Sequence, residues 1–494
     1  MDSLGMEWIF SFRMNEVNGI ETDEGSYSAR KAPNILWICS DQQRWDTIAA
    51  LGNSHIRTPN IDRLVSEGVT FLNAFCQSPI CTPSRSSFLT GRYPSSVHGC
   101  GNGNDRWAEA APLVTKLLSD EGYTCGLVGK LHLAGCHDRV EPRPEDDGYS
   151  VFHWSHSHKD IWPEGHAYAD WVREQGGDLG QMYQDKGYMK PELHQTKFCA
   201  DKTIDFIERD HARPWLMSVN IFDPHLPFDP PKSYRDRYSA DEMPDPLFRE
   251  SDLDAQAALG GIDFQYPARR PEEFQAKDKI AAYYAMIEQI DDHVGRMLDA
   301  LERTGQREDT LVIFTSDHGE MLGDHGLIAK GCRFYEGLVH VPLIFSWPGR
   351  FDGGQRKEAL VELTDIAPTL VELAGLPLQD RMAGRSLVPI LESDLDTHRD
   401  SVRCEYYRAL SLIAPGRENW EGSFATMHRT SRYKLVVYHG HDQGELFDLQ
   451  EDPGEFENRW NDPVFASLRF ELLRQILDRS AFAVDTGTKT TCVF

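Results

Sequence analysis

Cys81-Thr82-Pro83-Ser84-Arg85 sets a thiol, two hydroxyls and a guanidinium side by side in the chain. Pro83 suits the first turn of a helix, Ser86 to Thr90 continue it, and Gly91-Arg92 end it. The spacing predicts Cys81 at a helix N-terminus, where unpaired backbone N–H groups and the dipole favour an anion. Read alone, the same residues also fit a structural cysteine buried beside a helix cap. Four further polar clusters share one phase: Asp41-Gln42, Gly129-Lys130-Leu131-His132, Asp223-Pro224-His225 and Thr315-Ser316-Asp317-His318 each follow directly on an apolar run. In a parallel α/β sheet ligands bind outside the carboxyl ends of the strands, so four such clusters converge on one crevice.

The elements that must position them are legible as alternation. Asn34–Ser40, Thr124–Val128, Trp215–Phe222, Leu311–Phe314 and Val341–Phe345 read as short buried strands. Between them lie helices. One opens at Thr58-Pro59 with Ile61, Leu64 and Val65 on one face, and one runs from Pro112 to Gly122. A long amphipathic helix carries Ile280, Tyr284, Ile287, Ile290, Val294, Leu298 and Leu301. This predicts an α/β fold, a large mostly parallel sheet flanked by helices on both faces. Residues 138 to 200 and 223 to 275 break the rhythm and read as long inserts laid over the sheet. Beyond about residue 395, Tyr433–Tyr438 and Glu445–Asp448 read as strands and Phe465–Leu477 as a helix, a smaller C-terminal α+β subdomain. The expected organisation is an N-terminal arm (1–30), a catalytic α/β domain (31–395) and the C-terminal subdomain with a tail (396–494).

Pro79-Ile80-Cys81-Thr82-Pro83-Ser84-Arg85 with Phe88-Leu89-Thr90-Gly91-Arg92 resembles the first signature of the type I sulfatases, in the alkaline phosphatase superfamily. Gly122-Tyr123 with Gly129-Lys130-Leu131-His132 resembles the second, departing from it at Cys125 where the family prefers Ser or Thr. The resemblance runs from about Pro33 to Pro463. It implies that a formylglycine-generating enzyme oxidises Cys81 to an aldehyde, whose hydrate attacks sulfur and releases the substrate alcohol. Loss of a proton from the second hydroxyl then expels sulfate, splitting one hard displacement into two easier ones.

The resemblance also implies a metal site at Asp41, Gln42, Asp317 and His318. Carboxylate and amide oxygens with one imidazole suit Ca²⁺ best, with Mg²⁺ or Mn²⁺ as alternatives. Many relatives carry Asp at the second position and Asn at the fourth. Gln42 and His318 leave two formal negative charges, which keeps phosphonate monoesters and phosphodiesters open as rival substrates. Arg85, Lys130 and Lys330 would stabilise charge on the transferring group. His225 is the expected general acid and His132 the base, an assignment that could be exchanged. His325, His340 and Glu336 are expected to hold loops. His98 and Trp154 are candidate substrate contacts. Trp162 and Trp171 are rings that could stack on a sugar or pack in the core. His153, His156 and His158 imitate a metal cluster, yet their i, i+2 phase around Trp154 reads as a recognition loop.

Bulk properties narrow the class. A net charge of -27 argues against nucleic acid or an anionic membrane as partner, leaving a local basic pocket for a small anion. Hydrophobic residues at 40% and charged ones at 26% are those of a folded soluble chain. Ten cysteines form no CxxC pair, which points to reduced thiols. Met1–Arg30 is acidic and lacks a basic start followed by an apolar run, so a cytoplasmic enzyme is expected. The expected ligand is a small-molecule or saccharide sulfate ester. A homo-oligomer exchanging its terminal arms is compatible with the pattern. A non-catalytic glycan-binding relative with an unmodified Cys81 is the remaining alternative.

Overall fold

The structure, a computed structural model, describes residues 32–136, 139–157, 165–184, 190–410 and 422–484. The expected N-terminal arm, His158, Trp162 and the end of the C-terminal tail lie outside the described residues.

Eight strands form the main sheet: β1 (Asn34–Ser40), β2 (Val69–Phe75), β3 (Thr124–Gly129), β4 (Tyr149–Trp154), β5 (Trp215–Asn220), β6 (Thr310–Ser316), β7 (Leu343–Ser346) and β8 (Gln355–Glu362). Their order is β4-β3-β5-β1-β6-β7-β2-β8, and only β7 runs antiparallel to its neighbours. β1, β5 and β6 sit centrally with both faces covered, so they read as unbroken apolar runs.

Strand periodicity sends alternate side chains of β1 to opposite layers. Leu36 and Ile38 join Val294, Met297 and Leu298 of the helix Ala276–Arg303, with Ile61 and Leu64 of Pro59–Glu67 and Phe198 of Gln195–Ile207. Trp37, between them, points the other way. Its ring lies 5.3 Å from Phe88 of the helix Cys81–Thr90. That second helix is buried on every side, which is why it shows no amphipathic stripe.

A second sheet of four antiparallel strands, β9 (Ser401–Tyr407), β10 (Phe424–Thr430), β11 (Tyr433–Tyr438) and β12 (Gly444–Asp448), has the order β12-β11-β10-β9. The helix Ala466–Phe482 covers it through Leu472 and Ile476 against Leu435 and Leu446.

The predicted insert 138–200 is corrected in part. It contains β4 and the helices Ala167–Glu174 and Gln195–Ile207. Tyr149-Ser-Val-Phe-His-Trp154 escaped the strand pattern because β4 is an edge strand, paired on one side with β3 and half-buried along its middle. Among the described residues no helix is long and apolar enough to cross a membrane.

Candidate active site

Parallel register puts the carboxyl ends of β3, β5, β1 and β6 side by side, and the four polar clusters follow those ends. Opposite them the helix Cys81–Thr90 begins, with Cys81 as its first residue and extended Ile80 as its N-cap. Gly91, in the left-handed region at φ 69°, closes it. The Cys81 Sγ lies 2.8 Å from Lys330 Nζ, 3.1 Å from His318 Nε2 and 3.6 Å from Asp41 Oδ1. His132 and His225 also interact with it.

Each of these groups is tied down from behind. Arg85, one turn along the helix, donates Nε to Asp317 Oδ2 at 2.9 Å and Nη1 to the Lys130 carbonyl at 3.0 Å. Lys130 Nζ pairs with Asp41 Oδ2. The other Asp317 oxygen accepts the backbone N–H groups of Gln42 and His318, both at 3.0 Å. Ser84 Oγ donates to the Asp317 carbonyl, and Tyr283 Oη to the Gln42 carbonyl. Lys130 reaches the pocket because residue 129 is glycine. Gly129 has φ 96°, and a Cβ there would stand 1.9 Å from the Asn220 carbonyl oxygen of β5.

The donor set fits a hard divalent cation. Gln42 gives its Nε2 to Glu320, which leaves Oε1 buried without a hydrogen-bond partner. His318 Nδ1 donates to the Gly319 carbonyl at 2.9 Å, so the lone pair is on Nε2, 3.9 Å from Asp41 Oδ1 and 3.8 Å from Asp317 Oδ1. Ligand atoms of Asp41, Cys81, Asp317 and His318 all lie within 4.8 Å of one another. Two carboxylates, an amide oxygen and one imidazole suit Ca²⁺, Mg²⁺ or Mn²⁺.

Charge decides the protonation states. Burial alone would push the Cys81 thiol up, but Lys130, Lys330 and His318 outweigh it and hold the thiol well below its ordinary value. Burial and the Cys81 charge would likewise raise Asp41, yet Lys130, His225 and Lys330 bring it down. His132 and His225 are both lowered, by burial first and then by Lys130 and Lys330 respectively, so both imidazoles are neutral near pH 7. Burial raises Glu320. His225 Nδ1 donates to the Leu226 carbonyl at 2.7 Å, and its Nε2 lies 3.0 Å from Lys330 Nζ. Lys330 Nζ therefore donates toward the lone pair of His225 Nε2.

Ten predicted residues thus meet in one pocket: Asp41, Gln42, Cys81, Arg85, Lys130, His132, His225, Asp317, His318 and Lys330. Two predicted substrate contacts do not join them. Trp154 is buried, with 2% of its surface exposed, and its Nε1 donates to Glu141 Oε2 at 3.1 Å. Its ring is a core element rather than a platform for ligand. His98 is exposed at the end of the turn Pro94–Val97, and among the described residues its side chain makes no hydrogen bond or ring contact. Trp171 packs in the core. His156, in contrast, stands at the pocket, its ring 5.0 Å from His132 and 5.8 Å from Phe222. The expected loop holders do hold loops. His325 stacks on Tyr335 at 3.9 Å, His340 bonds the Leu72 carbonyl, and Glu336 pairs with Arg429 and Lys434.

Sequence reasoning missed two acids. Glu320 orients Gln42 and also accepts the N–H groups of Leu322 and Ala329. Glu141 accepts the N–H groups of His132, Leu133 and Ala134. It thereby holds His132 at a left-handed φ of 58°. The available signal for Glu320 was its place three residues after Asp317. Glu141, in a proline-rich acidic stretch, offered none.

Comparison with known proteins agrees with this arrangement. The family profile described as Sulfatase matches residues 33–376, and one described as N-sulphoglucosamine sulphohydrolase, C-terminal, matches 323–481. An arylsulfatase of Clostridium perfringens is 31% identical over 477 residues, covering 90% of this chain and 93% of the relative. An N-acetylglucosamine-6-O-sulfatase of Bacteroides thetaiotaomicron is 27% identical, covering 91% and 86%. Among solved structures, a phosphonate monoester hydrolase of Agrobacterium radiobacter superposes with a TM-score of 0.77 at 27% identity, covering 92% and 96%. With the family profile matching most of the chain and an arylsulfatase 31% identical along nearly all of it, this protein belongs to the sulfatase family and is a sulfuric ester hydrolase.

Proposed function

We propose that the protein hydrolyses sulfate monoesters by S–O cleavage, with a formylglycine made from Cys81 as nucleophile and a divalent cation, Ca²⁺ in the first place, held by Asp41, Gln42, Asp317 and His318. The observation that carries this reading is the aim of Cys81. Its sulfur marks where an oxygen of the matured side chain would stand, at the positive end of a buried helix and against Lys330 and His318. Once in place, the cation supplies fixed positive charge and the hydrated aldehyde supplies the nucleophile.

The chain's own groups do the rest. Arg85, Lys130 and Lys330 meet the non-bridging oxygens in a water-poor pocket, where fixed charges act strongly. The proton for the leaving oxygen comes by way of His225: the Lys330 ammonium gives one to the imidazole lone pair at Nε2, and His225 hands it on. His132 takes the proton whose loss releases sulfate. Cys81 to Arg85 are all buried, so a formylglycine-generating enzyme must reach this segment before folding is complete. Sulfated saccharides are the favoured substrate class, in line with the relative named as an N-acetylglucosamine-6-O-sulfatase.

A second reading has its own support. Gln42 and His318 leave the cation with two carboxylates, and a phosphonate monoester hydrolase shares the fold at 27% identity. Parallel kinetics on an aryl sulfate and a phenyl phosphonate, with mass spectrometry of the Cys81 peptide, test both. The sulfatase reading expects aldehyde at residue 81 and a higher kcat/KM on the sulfate. A higher kcat/KM on the phosphonate would transfer the function to the second reading. A persistent thiol with full activity would remove formylglycine from either.

A further inference from the structure

We propose that His132, Cys136 and His156 form a second metal site, for a soft divalent ion of the Zn²⁺ class, and that an ion bound there takes His132 out of proton transfer. Candidate ligand atoms of the three residues all lie within 4.8 Å of one another. His132 and Cys136 are buried and His156 is partly exposed, so the trio has a closed floor and an opening toward solvent. His132 Nδ1 is buried without a hydrogen-bond partner, in a residue only 6% exposed. An unsatisfied buried polar atom is costly, and a ligand at Nδ1 would recover that cost.

The trio is also built rather than incidental. One carboxylate, Glu141, accepts the N–H groups of His132, Leu133 and Ala134 and the indole N–H of Trp154. It therefore pins both the turn that leads to Cys136 and the strand end that leads to His156. Two imidazoles and a thiolate are soft ligands that favour Zn²⁺ over Ca²⁺ or Mg²⁺. Asp41, Gln42 and Asp317 make the opposite choice. Two sites about one pocket would thus sort two kinds of ion by donor chemistry. On binding, the Cys136 thiol gives its proton to solvent and both imidazoles bind as neutral ligands, with no change of oxidation state. A tetrahedral ion keeps its fourth position for water.

The functional consequence rests on His132 acting as the base. An imidazole bound to metal through Nδ1 carries its hydrogen on Nε2, so toward residue 81 it can donate but no longer accept. Soft-metal binding there inhibits.

Two arms test this. The first uses the Cys81→Ser protein with Co²⁺, so that the thiolate of Cys136, not that of residue 81, can report. A near-ultraviolet thiolate-to-cobalt band is expected, saturating at one ion per chain and displaced by Zn²⁺. It should vanish in Cys81→Ser/Cys136→Ser and require on the order of 10–100-fold more Co²⁺ in Cys81→Ser/His156→Gln. No band, or a band that survives loss of Cys136, overturns the site. The second arm adds Zn²⁺ to the matured enzyme saturated with Ca²⁺. A fall in kcat of about 100-fold or more is expected, absent in Cys136→Ser. Inhibition that persists in Cys136→Ser, or a site that fills without inhibition, overturns the coupling to His132. The first arm involves no turnover, so its outcome is independent of whether the proposed sulfatase mechanism holds.

Discussion

Around Lys434, on β11, the ammonium pairs with Glu336 at 2.6 Å and Glu455 at 2.7 Å and donates to the Phe334 carbonyl at 2.9 Å. Arg429 adds a second cation to Glu336, its guanidinium lying 4.5 Å from the centre of the Phe75 ring. Two carboxylates meet two cations, and the cluster joins the C-terminal sheet to the main one. Around Cys81 the same side-chain types are set out differently. Arg85, Lys130 and Lys330 face Asp41 and Asp317, while Gln42 Oε1 and Arg85 Nη2 have no hydrogen-bond partner. Lys434 is as deeply buried as Lys130, while Glu336 is partly exposed. Balanced charge makes a joint, and a surplus of cations makes a place for a charged ligand.

One substitution made twice should separate them. Lys434→Met leaves Glu455 without its cation, while Arg429 still pairs with Glu336, and should cost about 3–5 kcal/mol of stability in urea unfolding, with kcat of the folded enzyme unchanged. Lys130→Met should lower kcat/KM by about 100- to 1000-fold. Its stability loss should be the smaller, because Arg85 remains 3.6 Å from Asp41. A larger stability loss at position 130 than at 434 would invert the comparison.

Asp291 sharpens the contrast, being a buried carboxylate with neutral donors only. Asn60 and Ile61 donate their backbone N–H groups to it, and Asn60 its side-chain amide, at the start of the helix Pro59–Glu67. Burial outweighs those bonds and pushes its pKa from 3.8 up to about 7, with Asp292 adding to the rise. The folded state holds a proton here that the unfolded chain has released. Stability from this group is thus complete below about pH 4 and falls by about 1.4 kcal/mol per pH unit until about pH 7. Urea unfolding at pH 5 and pH 7 should show this drop in the wild type and its absence in Asp291→Asn.

Smaller effects probe single atoms. Gln42→Ala removes the unpartnered Oε1 and should weaken divalent-cation binding by about 10–100-fold in calorimetry, with activity restored by excess metal. Trp154→Phe leaves Glu141 short of one donor and should cost about 1–3 kcal/mol with KM unaltered. A raised KM at unchanged stability would return the ring to a substrate-stacking role.

The pocket was legible because its residues interrupt clean apolar runs. Asp41, Lys130 and Asp317 each come straight after a strand whose both faces are buried, and Cys81-Thr82-Pro83-Ser84-Arg85 is a specific signature. Of the strands that escaped, β4 and β8 have a neighbour on one side only, and β9 carries buried charge. β8, Gln355–Glu362, is an edge strand with polar residues through its first half. β9 hides Arg403 and Glu405 by pairing them at 3.0 Å, so its pattern reads as surface. Trp154 was misjudged for a related reason. An indole beside histidines looks like a recognition element until its N–H partner, thirteen residues upstream in the chain, comes into view.

Gly129 carries a last lesson. The cation at position 130 meets its carboxylate only because the preceding residue contributes no carbon beyond its backbone, so neighbouring strands can close to where any methyl would strike the Asn220 oxygen. Chemistry here is fixed by a missing atom. Libraries aimed at new substrates can range over the loops after β4 and β5, but diversity at 129 should return only inactive clones, whatever pocket surrounds it.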